Sequence, residues 1–544
     1  MENEGCEVKH CPKENYPKPA ALGAIMLAIC SSMFLVSLDR TIIATSIPTI
    51  TNYFHSFNDI AWYGSAYLLT GCVLQLPLAL LYKFFTPKWV FITMLIVFEI
   101  GSAVCGGAQN SVSIIVGRAI QGLGGDGIFS GSMVLIVEAV PLAKRPMYMG
   151  FGGATFGLSA VLGPLVGGAL TSNASWRWCF LINLPIGGMV LLVLLWFFPN
   201  THTMDEQDGS QKEKRVPKSI QEKLLDLDPM GIIFLVPGMV SLMLALQWGG
   251  SVYTWSNGRI IALFVVAGIL SVSFILNEIY QRERAMLKIS VFTQRTVFAS
   301  FFYSFCVGGS MMTIVYYLPI WFQAIKGASA VKSGEMNIPL LLSLMIGTLL
   351  AGMFVTKVVG YAAPFMIAGA MIMTIGAGLF STFGITTGHA KWIGYQVVYG
   401  FGLGLGMQQG AAAIQAVIPK HDTPQAISFL FFGQQLGSAI MLCIGENLPT
   451  SSLVRNIRTS LPNIDPGHIS NSGATDFCNT ISGPDRIKLL QAYNGALRHV
   501  FFLAIAVSGL AVAGAFLVEW KNLIEVEKEQ NAEKDRLSGV VKEY

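Results

Sequence analysis

Charged side chains within two long apolar stretches are the residues of this sequence best suited to chemistry. Asp39 and Arg40 stand side by side in SSMFLVSLDRTIIATSIPTI, while Arg118 and Asp126 lie in GRAIQGLGGDGIFSG. A carboxylate near a guanidinium can bind or release a proton when its burial or its distance to the cation changes. We therefore predict that Asp39 carries a coupling proton and that Arg118 is its positive partner or modulator. A static structural ion pair is the alternative.

The other two charges have roles that the sequence leaves open. Arg40 is predicted to be structural, because a long basic side chain at a helix surface can reach the membrane interface. Asp126 either shares the proton-coupling role or simply pairs with Arg118, which lies about two helical turns away.

The composition is that of a membrane protein with many helical spans. The chain has 544 residues, of which 53% are hydrophobic and only 12% are charged, against about 25% charged in soluble domains. The net charge of +4 is small, so we expect no nucleic-acid partner. GLGGDG at 122–127 matches a dinucleotide fingerprint formally, but it follows no strand. We find no catalytic or metal-ligand constellation and expect neither an enzyme nor a bound metal or cofactor.

Fourteen segments are long and apolar enough to cross about 30 Å of hydrocarbon as helices. An even number of spans places both chain termini on the same side. The predicted spans are 22–47, 59–81, 89–108, 112–137, 146–171, 178–199, 229–249, 259–277, 297–323, 333–357, 361–383, 391–418, 425–446 and 498–519.

Basic residues predict the orientation of these spans. Lys83, Lys88, Lys144, Arg145 and the run KEKR at 212–215 all fall between spans on the side of the termini. Because cytoplasmic loops carry an excess of Lys and Arg, both termini are predicted to be cytoplasmic.

This orientation places the sequon at Asn173 in an external loop, where it is a candidate for glycosylation.

The spans group into two halves. Gly-rich segments GRAIQGLGGDGIFSGSMVLIVEAVP and YGFGLGLGMQQGAAAIQAVIP both close on a proline before a basic turn, which fits a repeat related by an axis along the membrane normal. The predicted organisation is a cytoplasmic tail (1–21), a six-helix bundle (22–199), a cytoplasmic loop (200–228), two additional helices (229–277), a second cytoplasmic loop (278–296), a second six-helix bundle (297–519) with a long external loop (447–497), and a cytoplasmic tail (520–544).

Small residues crowd the fifth predicted span, GATFGLSAVLGPLVGGAL. Residues of this kind four apart let helix backbones approach closely, and a proline adds a kink. We predict a hinge or sliding interface here, with ordinary helix packing as the alternative. The residues concerned are Gly157, Gly163, Pro164, Gly167 and Gly168.

Glutamines cluster in the second half, close to spans rich in Met and aromatic residues such as MMTIVYYLPIWF. A permissive apolar cavity with a few polar contacts suits amphipathic ligands. We predict that Gln408, Gln409, Gln434 and Gln435 are such contacts, although core packing is the expected role of most of the apolar residues.

Four motifs together resemble one family. LDRTIIATSIPTI, GRAIQGLGGDGIFSG and GLSAVLGPLVGGAL are similar to the first-, fourth- and fifth-span motifs of the fourteen-span drug:proton antiporters of the major facilitator superfamily, and WRWCFLINLPIGG to the start of their sixth span. The chain as a whole resembles fungal toxin and multidrug efflux pumps. One departure is the second-to-third loop, where PLALLYKFFTPKWVF lacks the usual glycine and acidic residue, which puts the cytoplasmic gate of that loop in doubt.

The resemblance implies a fold and a function. The implied fold is an all-α polytopic protein with two six-helix bundles plus two central helices. The implied function is export of amphipathic compounds, such as a fungal toxin or drugs, by alternating access driven by a proton gradient. The expected partners are a small organic substrate, protons and the lipid bilayer; the expected state is a monomer in the cell membrane or in a vacuolar or vesicle membrane. Uptake of a chelated metal such as a siderophore, and a transport-inactive receptor, are the alternatives.

Overall fold

A computed structural model describes residues 17–55, 59–198, 227–250, 253–282, 285–460, 484–529 and residue 532. Its described residues form helices, apart from two isolated β-bridges and connecting turns. The long helices are α1 (Pro19–Phe54), α2 (Ile60–Phe84), α3 (Pro87–Gly106), α4 (Ser111–Ala139), α5 (Arg145–Asn173), α6 (Asn183–Phe197), α7 (Pro229–Trp248), α8 (Gly258–Gln281), α9 (Arg295–Lys326), α10 (Ile338–Phe354), α11 (Ala363–Phe380), α12 (His389–Met407), α13 (Thr423–Ser460) and α14 (Pro484–Leu517). Shorter helical segments are Leu142–Lys144, Trp178–Leu181, Ile289–Phe292, Ala330–Met336, Val355–Val359, Gln409–Gln415 and Lys420–Asp422.

The helices begin where the sequence supplies a start signal. Proline occupies the first turn of α1, α3, α5 and α7, a position where its missing N–H is not needed. Asn110 caps α4 by accepting a hydrogen bond from the backbone N–H of Ser113 at 2.8 Å, and Asp228 caps α7 through Gly231 at 2.9 Å. Each cap satisfies a backbone donor that the helix leaves free.

Thirteen helices of the described residues are long and apolar enough to cross a membrane. The remaining predicted span, 391–418, is also helical: it forms α12 and continues, after a break at Gln408, as Gln409–Gln415. α12 packs against both α10 and α11, and its Gln396 is fully buried. From Tyr399 onwards nearly every residue of this helix is buried against protein, so this part tolerates glycines and amides that a lipid-facing span would not. The predicted all-α architecture is confirmed.

The two halves repeat the same packing scheme. In the first half α4 packs against α2 and α3, and α1 against α5; in the second, α12 packs against α10 and α11, and α9 against α13. Each half holds a large apolar cluster of its own, although the first also takes in residues from the start of α13. The halves meet mainly through α5 with α10 and α2 with α13. The similar Gly-rich segments thus occupy equivalent positions, in α4 and in α12 with its continuation.

The face of the bundle at which α1 begins and α14 ends is called here the N-terminal face. Several helices are longer than the hydrocarbon layer is thick: α13 has 38 residues, or about 57 Å at 1.5 Å per residue, against about 30 Å. Their ends therefore project beyond the apolar core of a bilayer. The predicted loop 200–228 falls largely outside the described residues, as do most of the N-terminal tail and 461–483.

The predicted topology can be tested at these faces. Single cysteines introduced at Ser210 and Ser470 are expected to react from opposite sides of the membrane, because an odd number of predicted spans separates them. In a background whose nine native cysteines are replaced by serine, an impermeant maleimide applied to intact cells should modify only the variant at position 470, and permeabilisation should expose position 210. Modification of both in intact cells would contradict the fourteen-span topology.

The two additional helices, α7 and α8, are attached at both ends. Asp228 joins them at the N-terminal face, since its carboxylate accepts from Asn277 at 3.2 Å and Gln281 at 2.8 Å. At the opposite face Gln247 donates to Ser65 of α2 at 2.7 Å. The segment 285–288 then leads from α8 towards α9, and its Leu287 N–H bonds to the carboxylate of Glu278 at 2.7 Å.

Candidate functional site

Asp39 lies at the centre of a polar network inside the first half. It is fully buried, and its Oδ2 accepts a hydrogen bond from Arg118 Nη1 at 2.5 Å. Its Oδ1 accepts from Gln121 Nε2 at 2.9 Å and from Asn183 Nδ2 at 3.2 Å. The structure therefore brings Asp39 and Arg118 together, as the sequence suggested, and gives the carboxylate three donors from two other helices.

Arg118 is held on several sides. Its Nε donates to the backbone carbonyl of Tyr63 at 3.0 Å, and Nη1 donates to Gln121 at 3.0 Å. The guanidinium also lies over the ring of Tyr67, 4.5 Å from the centroid, a geometry in which the ring attracts the cation. A charge this deeply buried is tolerable only with such compensation, so the surroundings of Arg118 are adapted to a permanent cation.

A second ion pair lies beside the first. Arg40 pairs with Asp126, which is buried, and the Arg40 guanidinium is 5.1 Å from the centroid of the same Tyr67 ring. Asp126 therefore pairs with Arg40 and not with Arg118, and the Arg40 head group lies at Asp126 instead of at the membrane interface. Arg40 can reach Asp126 because side chains tilt towards the start of their helix. A structural role of Arg40 and a share of Asp126 in proton coupling stay predictions.

Asp126 also contacts the second half of the protein. Gln435 of α13 donates to both of its carboxylate oxygens at 3.4 Å, and Arg40 keeps 21% of its side chain exposed. Asp39, by contrast, has partners from the first half only, as far as the described residues go. Of the two carboxylates, Asp126 is thus the one at the boundary where the halves meet.

The four glutamines predicted to line a cavity have different environments. Gln434 and Gln435 are half-buried on α13, and Gln434 packs against Gly308 of α9. Gln408 and Gln409 are buried, and their Oε1 atoms have no hydrogen-bond partner in the described part of the chain. Both stand at the break between α12 and the helix that follows, and each has an Oε1 atom that can accept a hydrogen bond from a ligand or a water. Their role in binding stays a prediction.

Polar contacts between the halves close the N-terminal face. Lys83 Nζ donates to Asp422 and to Gln425, both at 2.7 Å, in a largely buried position. Arg145 donates to Gln415 at 3.3 Å. The loop that lacks the family's usual glycine and acidic residue therefore still forms a contact across the halves, through Lys83.

Met147 N–H donates to Thr356 at 3.1 Å, also near the N-terminal face. Deeper along the same interface, Ser130 and Ser428 lie 2.9 Å apart. The described hydrogen bonds between the two halves all lie at this level, at the N-terminal face or at Asp126. The N-terminal face is thus the closed end of this structure.

This closed end is connected to the additional helices. Gln425 donates to the carbonyl of Met286 at 2.8 Å, and Lys288 lies 3.7 Å from Asp422. The segment 285–288 therefore touches the partners of Lys83 and the end of α8 at the same time.

The small residues of α5 serve two interfaces. Gly157 faces α10 of the other half, where an added Cβ would lie 3.3 Å from the carbonyl of Leu341. Pro164 contacts Gly334, also across the halves, whereas Gly163 faces Thr41 of α1 within its own half. Gly167 lies beside Cys179, at 3.9 Å, and an added Cβ on Gly168 would have no neighbour within 4 Å. Only part of the motif thus faces the other half, and a sliding interface there stays a prediction.

Asn173 ends α5 and is exposed at the face opposite the N-terminal one. Its glycosylation stays a prediction.

Sequence reasoning missed two polar partners of Asp39, namely Gln121 and Asn183, and also Ser102, which accepts hydrogen bonds from both of them. Gln121 could have been found, since it follows Arg118 by three residues and so shares its helix face. Asn183 stands within the WRWCFLINLPIGG motif, but the resemblance of that motif does not single out this residue. Among the described residues, no three His, Cys, Asp or Glu side chains are grouped so as to hold a metal ion.

The sequence of this chain is similar to those of known membrane transporters. Residues 29–442 match the family model of the Major Facilitator Superfamily. The chain is 44% identical over 512 residues to "MFS-type transporter VdtG" of Byssochlamys spectabilis, covering 94% of this chain and 90% of the relative. It is 44% identical over 509 residues to "MFS-type efflux pump MFS1" of Trichophyton rubrum, with 94% and 93% covered. It is 43% identical over 507 residues to "Efflux pump aflT" of Aspergillus parasiticus, with 92% and 95% covered.

Solved structures agree on the fold. The proton:xylose symporter XylE superposes with a TM-score of 0.61 at 15% identity, covering 94% of this chain and 99% of that one. At this identity the likeness concerns the fold alone.

Proposed function

Because the chain belongs to the major facilitator superfamily, we propose that this transporter exports amphipathic organic compounds, such as a fungal secondary metabolite or toxin, in exchange for protons. Relatives described as efflux pumps align over more than nine-tenths of both chains, which supports export over uptake of a chelated metal. The chain is a membrane transporter and not an enzyme.

The observation that carries proton coupling is the buried Asp39–Arg118 pair. A carboxylate in the hydrocarbon layer is expensive and is usually functional. Among the described ion pairs, Asp39 is the only acidic partner of Arg118. If motion of the helices changes the distance between these two groups, the proton affinity of Asp39 changes with it. Asp39 would then bind and release a proton in step with transport.

Alternating access supplies that motion. Two bundles with equivalent packing, whose described hydrogen bonds to each other are concentrated towards one face, suit a rocking movement around a central site. We assign the N-terminal face to the cytoplasm, on the basis of its Lys and Arg residues. The structure then corresponds to a state closed to the cytoplasm, in which substrate is released outward, and Gln434, Gln435, Gln408 and Gln409 are candidates for substrate contact. The predicted domain boundaries and a monomeric state in the plasma membrane or an internal membrane belong to this proposal.

Transport of protons with substrate is measured directly in proteoliposomes. Addition of rhodamine 6G, an amphipathic fluorescent probe, to vesicles holding the purified protein is expected to move protons in the opposite direction to the dye. Protein-free vesicles provide the background. Dye movement without any proton movement would contradict antiport.

Lys83 is expected to hold the cytoplasmic face closed. Replacing one partner of a buried ion pair costs about 3–5 kcal/mol, so Lys83→Gln should favour the open state strongly. A cysteine at Ser428, buried at the interface of the halves, should react at least tenfold faster with an impermeant maleimide from the cytoplasmic side in the Lys83→Gln background.

Lys332→Gln is the matched control for this variant, because Lys332 forms an exposed pair with Glu335 at the other face. Equal reaction rates in both backgrounds would show that Lys83 does not close the face.

A further inference from the structure

Glu99 is a carboxylic acid within α3 that the proposed function does not use. Both of its carboxylate oxygens are buried, and neither has a hydrogen-bond partner in the described structure. On the α6 side it meets Gly187, where an added Cβ would overlap the carboxyl group. The site is therefore a slot for one carboxyl group, made by the absence of a side chain at Gly187.

An ionised carboxylate without water or donors is among the most expensive groups to bury. The charged group that acts on Glu99 electrostatically is Asp39, another carboxylate. The cation of α4, Arg118, is already bonded to Asp39. The basic residue of its own helix, Lys88, bonds to the backbone carbonyl of Phe198 at 2.6 Å, about 16 Å along the helix from Glu99. The surroundings of Glu99 thus suit the neutral acid.

Two helices connect this acid to the network of Asp39. Ser102 follows Glu99 by three residues on α3, and Asn183 precedes Gly187 by four residues on α6, so each pair shares a helix face. Ser102 Oγ accepts from Gln121 at 2.9 Å and from Asn183 at 3.1 Å. The same two amides also donate to Asp39 Oδ1, so Ser102 and Asp39 belong to one network. Glu99 lies about one helical turn from this network, closer to the N-terminal face of the bundle.

The hydroxyl hydrogen of Ser102 has no acceptor in this arrangement, because Ser102 is the acceptor in both bonds. A hydroxyl group of this kind can pass on a proton. Neither Glu99 nor Asp39 is hydrogen-bonded to Ser102 in the described structure, so the exchange requires that one of the two amides releases Ser102 Oγ. Glu99 can then give its proton to the freed lone pair of Oγ while the hydroxyl proton of Ser102 moves to Asp39. The result is an ionised Glu99, a protonated Asp39 and an unchanged serine, and the reverse transfer restores the first state.

We propose that Glu99 is a second proton-binding site of the transport cycle, which exchanges its proton with Asp39 by way of Ser102. The inference rests on the proposed proton-coupled export and deepens it. It places a second proton between Asp39 and the N-terminal face, so that one cycle moves two protons.

Chemical labelling tests the protonated acid independently of transport. Dicyclohexylcarbodiimide, which is lipid-soluble, adds to neutral carboxyl groups in apolar sites, and the neighbours Ile96 and Ile100 are exposed on the outer surface of the bundle. Peptide mass spectrometry of the labelled protein should find the adduct on Glu99, and Glu99→Gln should lack it. Glu335→Gln, the same change in an exposed ion pair, should label as the wild type. Absence of an adduct on Glu99 in the wild type would overturn the proposal.

The coupling ratio tests the role of the proton. Removing one proton from the cycle is expected to lower the greatest rhodamine 6G accumulation about 50-fold at a membrane potential of about 100 mV. Glu99→Gln should show this loss while it still exchanges dye downhill. Gly187→Ala, which displaces the carboxyl group but keeps it, should also lower the ratio and serves if Glu99→Gln does not fold.

The role of Glu99 and the proposed proton-coupled export can fail separately. If the wild type couples protons to dye and both variants accumulate dye as it does, Glu99 is only a packed acid and this inference is wrong. If the wild type itself moves no protons with dye, the proposed function fails, whatever the carbodiimide labels.

Discussion

Asp39→Asn is expected to abolish uphill transport while leaving downhill exchange of substrate. Asparagine has almost the same shape as aspartate, but it cannot bind a proton in the physiological range. One proton crossing 100 mV supplies about 2.3 kcal/mol, or about a 50-fold gradient of substrate. Without a group that titrates in step with the motion, that energy is not transferred. Substrate-induced proton flux and steady-state accumulation in proteoliposomes measure the loss.

The same substitution leaves Arg118 without its anion at a site where it is 2% exposed. Loss of one partner from a buried pair can destabilise a protein by about 3–5 kcal/mol. The double variant Asp39→Asn with Arg118→Gln removes both charges and is the control for folding; it too should transport only downhill. If Asp39→Asn still moves protons at the wild-type ratio, the switch lies elsewhere, and Asp126 at the boundary of the halves is the next carboxylate to replace.

Gly163→Leu is expected to abolish export while the protein still reaches the membrane. A Cβ at this position would lie 2.7 Å from the Cβ of Thr41 and 3.2 Å from the backbone nitrogen of Ile42. These residues follow Asp39 directly on α1, which is bonded to α5 through Ser37 and Ser159. Overpacking of this kind costs about 1–3 kcal/mol or more, and here it moves the segment that positions the Asp39 carboxylate.

Gly168→Leu is the matched control, one turn and a residue further along α5. An added Cβ there has nothing within 4 Å, so export should stay near the wild-type level although the motif contains both glycines. Surface amounts and initial export rates of the two variants decide the matter. Equal activity of Gly163→Leu and the wild type would show that close packing of α1 on α5 is not required.

The fold was predictable because a bilayer allows few solutions. Backbone groups in lipid must be bonded within a helix, so long apolar runs translate directly into spans. Helix ends were less predictable: α13 continues to Ser460 and α14 begins at Pro484, well beyond the apolar runs at 446 and 498, because outside the membrane hydrophobicity no longer marks where a helix stops.

The contacts of the site could be predicted from the sequence only where a side chain has few possible partners. A buried anion and a buried cation in the same half have few alternatives, so Asp39 and Arg118 could be paired from the sequence. The contact of Lys83 with Asp422 spans 339 residues and joins two ordinary charges near helix ends, where many partners are possible. Nor does the sequence give the rotation of α1 and α4, which decides that Asp126 faces Arg40 and Gln435.

The attachment of α7 and α8 has a consequence for the surrounding lipid. This pair is bonded to α2 of the first half at one end and, through 285–288, to α13 of the second half at the other, so it cannot remain still when the halves rock. α8 also presents a broad apolar surface to the outside, with Ile261, Val265, Ile269, Val272, Leu276 and Ile279 exposed. A helix that tilts in a bilayer changes the thickness of hydrocarbon it matches, at a cost of fractions of a kcal/mol per Å. If the halves rock as proposed, each cycle deforms the membrane locally, and bilayer thickness is then one of the quantities that set the balance between the open and closed states.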